Sequence, residues 1–292
     1  MLDTAAKMDY NEEKQEAIAM AGQEKATKKP VVLITGGSSG IGAATAAALL
    51  AHGCTVYEIS RHPAKDGASA PIHLTGDMTD PDSLTAAMDA LLAREGRLDI
   101  LINNAGFGIS GSAEHTAPAD AERQLAVNFL GCAAMCRACL PALRQSRGRI
   151  VNLSSVAAVV PIPFQAFYSA SKAAINAFTL ALLGEVRPFG VSVCAVMPGD
   201  IRTGFTAARK KSAAGDDVYG GRIARSVGKM EHDEQNGMSA DAAGAAVAHI
   251  ALRRRVKPLY AIRADYRLVC VLARLLPSAL LCRITGALYG GR

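Results

Sequence analysis

The sequence predicts an α/β fold: one domain built on a doubly wound parallel sheet in three layers, with a C-terminal helical extension. The first observation is that short apolar runs rich in β-branched residues alternate with helical stretches, as strands and crossover helices do. The second is that glycine or polar residues follow these runs, at the strand ends where such sheets bind ligands. The third is size, because 292 residues, 50% of them hydrophobic, suit one sizeable core.

The predicted elements follow this alternation from residue 30 onward. A glycine-rich turn separates the first strand from an Ala-rich helix that extends to about His52. Asp80-Pro81 is a typical helix start, since a capping residue is followed by proline at the first helical position. The strands are predicted at 31–35, 55–59, 72–74, 98–102, 149–153 and 191–196, and the later helices at 120–145 and 168–187.

Composition divides the chain into three parts. Residues 1–29 are hydrophilic and of mixed charge, which predicts a flexible N-terminal extension. Residues 30–258 are expected to form the domain, with a mobile substrate lid at about 204–238. Residues 259–292 are a basic amphipathic extension: from Arg253 onward there are nine Lys/Arg and one acid, whereas the net charge of the chain is +6. Because the basic residues concentrate there, no nucleic-acid groove is predicted.

Targeting signals and cysteines both indicate the cytoplasm. The first residues lack the apolar core and cleavage site of a signal peptide, and no apolar run approaches the length that spans a bilayer. The seven cysteines lie mostly in apolar segments, as reduced thiols do. Cys132, Cys136 and Cys139 have a spacing that could ligate an iron–sulfur cluster, but their surroundings predict a continuous helix. We therefore predict buried thiols and no metal site.

The turn after the first strand has the pattern of a phosphate-binding loop. Gly36, Gly40 and Gly42 permit a tight turn, allow backbone amides to approach a pyrophosphate, and let the helix pack closely on the strand. The context supports this interpretation over an ordinary glycine turn, because the glycines follow a strand and open a helix.

Tyr168 and Lys172 form a candidate acid–base pair. They lie four residues apart and therefore on the same face of a helix. A phenol has an unperturbed pKa of about 10, and an ammonium within a few ångströms favours its ionised form. Tyr168 is therefore expected to have a lowered pKa and to exchange a proton near neutral pH. Such pairs also occur on solvated helix faces, so the interpretation depends on the other motifs.

Five motifs, in order, resemble those of the short-chain dehydrogenase/reductase family in its single-domain, Rossmann-like form. The resemblance covers about residues 30–204. The motifs are Thr35-Gly36-x-x-x-Gly40-x-Gly42, Asn103-Asn104-Ala105-Gly106, Asn128 in a Val-Asn-Phe-Leu-Gly context, Ser155 thirteen residues before Tyr168-x-x-x-Lys172, and Pro198-Gly199-x-x-x-Thr203.

The resemblance implies an oxidoreductase that interconverts a carbonyl and an alcohol by hydride transfer with a nicotinamide cofactor. Tyr168 would exchange the proton, while Lys172 would lower its pKa and hold the nicotinamide ribose. Ser155 would hydrogen-bond the substrate oxygen, with Ser154 as the alternative, and Asn128 would hold a water in a proton relay. The implied cofactor-binding residues are Thr35, Gly36, Ser38, Ser39, Gly40, Ile41, Gly42, Ser60, Arg61, Asp77, Met78, Asn104, Ala105, Gly106, Tyr168, Lys172, Pro198, Gly199, Ile201 and Thr203.

The end of the second strand favours NADP(H) over NAD(H). NAD-preferring relatives carry an acid there, which accepts from the ribose hydroxyls. Here Ser60 is followed by Arg61, and a cation beside a small hydroxyl suits a 2′-phosphate. Glu58 complicates this prediction, but strand alternation places it one step earlier than Ser60, beneath the pocket. Asp77 resembles the family's acid beside the adenine, with a helix cap as its alternative role.

The C-terminal residues predict two short amphipathic helices, before and after Pro277. Apolar residues recur there at helical spacing, with Arg267, Arg274 and Arg283 among them. Such helices suit an anionic membrane surface, and they could equally cover the substrate pocket or pack on the core or a partner subunit. We expect a cytoplasmic protein, with membrane association as one of these alternatives.

The expected partners are a small-molecule carbonyl or alcohol and further copies of the chain. The C-terminal residues look similar to those of family members that act on lipophilic carbonyls, which implies a steroid-, retinoid- or acyl-like substrate. The resemblance also implies a homo-oligomer, either a dimer or a tetramer. The alternative function is a non-catalytic nucleotide-sensing or scaffold protein on the same fold, although such proteins commonly lose the tyrosine or the lysine.

Overall fold

The computed structural model describes residues 29–62 and 70–290, and it confirms the predicted α/β architecture. The predicted N-terminal extension lies outside the described residues, apart from Lys29. The central strands are β1 (Val31–Thr35), β2 (Thr55–Ser60), β3 (Ile72–Thr75), β4 (Ile100–Asn103), β5 (Arg149–Leu153), β6 (Ser192–Met197) and β7 (Leu259–Ala261). They form one parallel sheet in the spatial order β7-β6-β5-β4-β1-β2-β3.

Helices cover both faces of this sheet and make the three predicted layers. Side chains of β1 alternate between the faces: Leu33 packs in one core, whereas Val32 and Ile34 pack in the other. Because both faces are buried, the strands are almost continuously apolar. The helices are α1 (Gly40–Ala51), α2 (Pro81–Glu95), α3 (Pro118–Ser146), α4 (Ala166–Val186), α5 (Arg222–Gln235), α6 (Ala240–Leu252), α7 (Ala264–Leu275) and α8 (Ser278–Thr285).

Helix α3 is long and apolar enough to cross a membrane by length and composition alone. The prediction that no apolar run approaches that length is therefore wrong for this segment. Its apolar side chains pack in the core instead: Cys132, Cys136 and Cys139 are buried beside Met135, which confirms the buried thiols. Core packing therefore accounts for this buried face of α3, whereas Leu130 on the same helix is exposed.

The sheet extends further along the chain than the predicted domain boundary. Leu259–Ala261, at the start of the predicted extension 259–292, pairs in parallel with residues 195–197 of β6. The two predicted C-terminal helices then follow as α7 and α8, on either side of Pro277. A three-residue edge strand next to a basic run has little local sequence signal, because its partner lies more than sixty residues away in the chain.

The predicted lid segment is anchored to the loop that follows β4. It contains a short helix, Phe205–Ala208, then the two-residue strand Lys210–Lys211, and then α5. The two-residue strand pairs in parallel with Ile109–Ser110. This pairing brings the lid next to the carboxyl ends of β1 and β4, where the chain order of the sheet reverses and where such sheets bind ligands.

Candidate active site

The glycine turn after β1 has a shape that only glycine can adopt. Gly36 and Gly40 have φ angles of +66° and +54°. A Cβ on Gly42 would lie 2.2 Å from the carbonyl oxygen of Gly36 and 2.4 Å from Nδ2 of Asn104. The turn therefore leads tightly into α1, whose first N–H groups have no partner within the helix. Such a helix N-terminus suits an anion, so these residues fit the pyrophosphate of a dinucleotide.

The loop after β4 is tied to the glycine turn by hydrogen bonds. The hydroxyl oxygen of Thr35 accepts from the backbone N–H groups of Asn104 and Ala105, at 3.0 and 3.1 Å. The side-chain amide of Asn104 donates to the carbonyl oxygens of Thr35 and Gly36. These predicted site residues therefore hold the two strand ends together.

The acid–base pair lies at the carboxyl end of β5. Tyr168 and Lys172 are both on α4, with Nζ of Lys172 5.8 Å from the centroid of the Tyr168 ring. Lys172 is buried and donates to the carbonyl oxygen of Leu153 at 2.7 Å. The Ser155 hydroxyl accepts from the N–H of Ala157 at 3.1 Å and lies close enough to Tyr168 to lower its pKa. The hydroxyl of Ser154 instead donates to the backbone carbonyl of Lys172 at 3.0 Å, so Ser155 is the serine next to the phenol.

Burial dominates the protonation of both groups. It raises the pKa of Tyr168 to about 12, against the lowering effects of the neighbouring Ser155 hydroxyl and Arg209 cation. Burial lowers the pKa of Lys172 to about 8. The pKa of Tyr168 is thus raised, whereas the sequence predicts that it is lowered. The reason is that removing the phenolate from water destabilises it more than Ser155 and Arg209 stabilise it. A neutral phenol at pH 7 is a proton donor.

Asn128 lies in a π-helical turn of α3, Ala126–Leu130, a feature frequent at functional sites. It is fully buried. Its Oδ1 accepts from the N–H of Phe107 and its Nδ2 donates to the carbonyl oxygen of Phe107, both at 3.0 Å. A Cβ on Gly106 would lie 3.1 Å from Oδ1 of Asn128 and 3.6 Å from Nζ of Lys172. The structure thus brings three predicted site residues around one point of the loop after β4.

The end of β2 combines a hydroxyl, a cation and a buried acid. Ser60 is partly exposed and Arg61 exposed, while Glu58 is fully buried beneath them. The Ser60 hydroxyl donates to Oε1 of Glu58 at 3.1 Å. Oε1 of Glu58 also pairs with Nδ1 of His73. Glu58 therefore lies on the same side as Ser60 and below it, as strand alternation predicts. Its Oε2 has no hydrogen-bond partner among the described residues.

Asp77 does not cap a helix. Its carboxylate accepts from the N–H and the hydroxyl of Thr79, both at 2.8 Å, and these bonds hold the pKa of Asp77 below its usual value. Asp80 is the residue that caps α2, through bonds from the N–H groups of Asp82 and Ser83. The capping alternative for Asp77 is thus wrong.

The remaining predicted residues lie on the segment after β6 and around the glycine turn. A Cβ on Gly40 would contact the Thr203 side chain at 3.7 Å, so these two motifs face each other. The Tyr266 ring of α7 packs against Gly199, where a Cβ would lie 2.2 Å from it, and its hydroxyl bonds the carboxylate of Asp200. Pro198 and Ile201 are buried, Ser38, Ile41 and Met78 are partly buried, and Ser39 is exposed.

Comparison with known proteins assigns this arrangement to a family. The family model described as "short chain dehydrogenase" matches residues 30–214. The chain belongs to the short-chain dehydrogenase/reductase family. The fold of this family binds a nicotinamide cofactor, and the chain is an NAD(P)-dependent oxidoreductase that acts on alcohol or carbonyl groups.

Individual members of the family resemble the chain over most of its length. A 3-ketodihydrosphingosine reductase of Bacteroides thetaiotaomicron is 40% identical over 227 residues, which are 77% of this chain and 84% of the relative. A short-chain dehydrogenase structure from Streptomyces avermitilis has a TM-score of 0.74 at 28% identity, covering 89% of this chain and 96% of its own. A Burkholderia cenocepacia short-chain dehydrogenase in complex with NADP has a TM-score of 0.71 at 27% identity, with 88% and 97% covered.

Sequence reasoning missed Arg209 in this dehydrogenase/reductase. The run Arg209-Lys210-Lys211 has the pattern of a solvated charged face, and the two lysines are indeed exposed. Arg209 is instead 4% exposed and pairs with Glu234 of α5. The only sequence signal is Phe205, four residues earlier, because an aromatic ring at that spacing packs against the arginine.

Proposed function

We propose that the protein is an NADP(H)-dependent reductase of a lipophilic ketone, with a long-chain keto lipid such as 3-ketodihydrosphingosine as the leading candidate substrate. The observation that carries this proposal is the convergence of Tyr168, Ser155 and Lys172 beside the glycine turn. The substrate class is supported by the name of the Bacteroides relative. The exposed apolar side chains of α7 and α8 agree with it.

The proposed chemistry assigns one task to each side chain. The glycine turn and Thr203 would hold the cofactor, which would supply a hydride to the carbonyl carbon. Ser155 donates a hydrogen bond to the carbonyl oxygen, and Tyr168, neutral at pH 7, gives that oxygen its proton. Lys172 holds the nicotinamide ribose and supplies positive charge beside the phenolate that forms. Asn128 keeps the loop after β4 in place through Phe107.

The substrate class can be tested by NADPH oxidation against a panel of carbonyls. The panel contains 3-ketodihydrosphingosine, retinal, a steroid ketone and a small aldehyde. We expect kcat/KM to be highest for the long-chain keto lipid. Equal or higher kcat/KM for the small aldehyde would contradict a lipophilic substrate.

NADP(H) preference is expected to depend on Arg61. The side chain is exposed beside Ser60, where a guanidinium can pair with a 2′-phosphate. Arg61→Ala should weaken NADPH binding by roughly 10- to 100-fold and leave NADH binding unchanged. Fluorescence titration of both cofactors measures this, with Arg94→Ala, an exposed arginine of α2, as the matched control. An unchanged NADPH-to-NADH ratio in Arg61→Ala would contradict the assignment.

We propose a cytoplasmic protein that makes peripheral membrane contact through residues 259–292. Leu268 and Leu275 are 60% and 76% exposed on α7, and Leu288 is 56% exposed after α8. Arginines of the same segment, at 267, 274 and 283, favour anionic lipid. The protein should float with phosphatidylserine-containing liposomes and less with neutral ones.

The leucines themselves provide the test of this contact. The double variant Leu268→Ser/Leu275→Ser should stay in the soluble fraction, because it removes apolar area from the interface. Val218→Ser, at a residue 76% exposed in the lid, is the control and should float like the wild type. Equal flotation of all three proteins, or of none, would contradict the proposal.

A homo-oligomer is proposed through α3 and α4. Leu130 of α3 and Leu180 of α4 are 58% and 47% exposed, so both can contribute apolar area to an interface between copies of the chain. Sedimentation should give a dimer or tetramer for the wild type, and a monomer for Leu130→Glu/Leu180→Glu. An oligomer that persists in this variant would place the interface elsewhere.

A further inference from the structure

The lid contains a buried arginine next to the candidate acid–base pair. Arg209 is 4% exposed and follows the short helix Phe205–Ala208. Its guanidinium carbon lies 5.5 Å from the centroid of the Phe205 ring. The same ring lies 5.8 Å from the ring of Tyr168. The guanidinium and the phenol therefore both lie next to the Phe205 ring.

Two donors of this guanidinium are left without a partner. Nη2 pairs with Oε1 of Glu234, whose other oxygen accepts from the hydroxyl of Thr206 at 2.6 Å. Nε and Nη1 are buried and have no hydrogen-bond partner among the described residues. A buried donor without a partner destabilises the folded protein by about 1–3 kcal/mol, and by more when the group is charged. Two unpaired nitrogens on one guanidinium therefore indicate that another group binds them.

These donors lie against the loop that carries the site. A Cβ on Gly108 would lie 3.4 Å from Nε of Arg209 and 3.0 Å from Cζ of Phe205. Gly108 comes two residues after Gly106, which faces Asn128 and Lys172. The backbone N–H of Lys210 donates to the carbonyl oxygen of Gly108 at 3.0 Å, which fixes the lid at this distance. The free donors and the acid–base pair thus border one region.

The surrounding charge selects the kind of group that these donors can bind. Glu234 neutralises Arg209, and Lys229 pairs with Asp233 at 2.9 Å. Burial raises the pKa of Asp200, and the charges of the neighbouring Asp233 and Glu234 raise it further. Because Glu234 already neutralises the guanidinium, a carboxylate or phosphate on the substrate would gain no net attraction from Arg209. A neutral oxygen acceptor can satisfy the free donors without bringing a second negative charge beside Glu234.

We propose that Arg209 binds a neutral oxygen of the substrate, a hydroxyl or a second carbonyl, located near the ketone that is reduced. Arg209 is then a specificity residue of the lid, and the substrate class is a hydroxy ketone or diketone and not a plain ketone or an acid. This inference rests on the proposed ketone reduction and adds a second polar group to its substrate.

Equilibrium binding to the NADP-loaded protein tests the inference directly. The probes are 1-hydroxydodecan-3-one and dodecan-3-one, which differ only in the hydroxyl. Calorimetry should show that the wild type binds the hydroxy ketone roughly 10- to 100-fold more tightly, as expected for a hydrogen bond from a charged donor. Arg209→Met should bind both probes with the affinity that the wild type has for dodecan-3-one. Arg225→Met, at an exposed arginine of α5, should behave as the wild type.

A second variant separates specificity from folding. Arg209→Lys keeps a cation for Glu234 but lacks the two free donors, and it should lose the discrimination while keeping the wild-type melting temperature and NADP affinity. Discrimination that survives in Arg209→Met, or a wild type that binds both probes equally or neither, overturns the inference. Discrimination without NADPH oxidation on either ketone would instead contradict the proposed function and leave the assignment of Arg209 intact.

Discussion

Tyr168→Phe is expected to lower kcat/KM for ketone reduction by about 10²- to 10⁴-fold, the range typical of a general acid. The substitution removes only the hydroxyl, so the ring keeps its contact with Phe205 and the cofactor site keeps its shape. NADPH affinity should therefore stay within the error of the wild-type value. Stopped-flow or steady-state NADPH oxidation measures the first quantity and fluorescence titration the second.

Tyr260→Phe is the matched control for this loss. Tyr260 lies on β7, where its hydroxyl accepts from the N–H of Lys257 at 2.8 Å. Its removal should leave kcat/KM unchanged. Similar rates for Tyr168→Phe and the wild type would mean that another group supplies the proton.

Lys172 should control the pH dependence of reduction. Burial lowers its pKa to about 8, whereas Tyr168 with a pKa of about 12 remains protonated throughout the range. The ammonium is the active form, because it supplies charge beside the developing phenolate. Reductive kcat/KM should therefore be level at neutral pH and fall as the pH rises through about 8. Lys172→Met should be slower by roughly 10- to 100-fold at pH 7, since a charged hydrogen-bond donor is lost.

Lys172→Arg provides the comparison for this profile. A guanidinium keeps its proton at every accessible pH, so the decrease above pH 8 should disappear even though the absolute rate is lower. If the wild-type rate stayed level well above that pH, or if Lys172→Arg kept the same decrease, the decrease could not be assigned to Lys172.

The fold could be predicted because its signals are local. A β-branched run followed by Gly36, Gly40 and Gly42 identifies a strand, a turn and a helix within twenty residues. The motif spacings then place Tyr168 and Lys172 on one helix. The edge strand Leu259–Ala261 could not be found in this way, because its hydrogen bonds go to β6, and no local pattern records that pairing.

Two properties of the site also depend on contacts between distant parts of the chain. The sequence shows a lysine one turn from Tyr168, but burial raises the pKa of the phenol, and this burial includes the packing of Phe205, thirty-seven residues further along the chain. Arg209 looks like the first of three solvated cations. Its burial results from Phe205 and from Glu234, twenty-five residues further along the chain. Composition alone cannot separate it from Lys210.

The most direct test is product analysis with 3-ketodihydrosphingosine and NADPH, run on the full chain beside Tyr168→Phe. The proposed function predicts that the wild type forms dihydrosphingosine with one NADPH consumed per product, and that the variant binds NADPH equally but forms almost none. Equal product formation by both proteins would contradict the role of Tyr168. Wild-type protein that binds NADPH but reduces neither this ketone nor any other member of the carbonyl panel would contradict the proposed reductase.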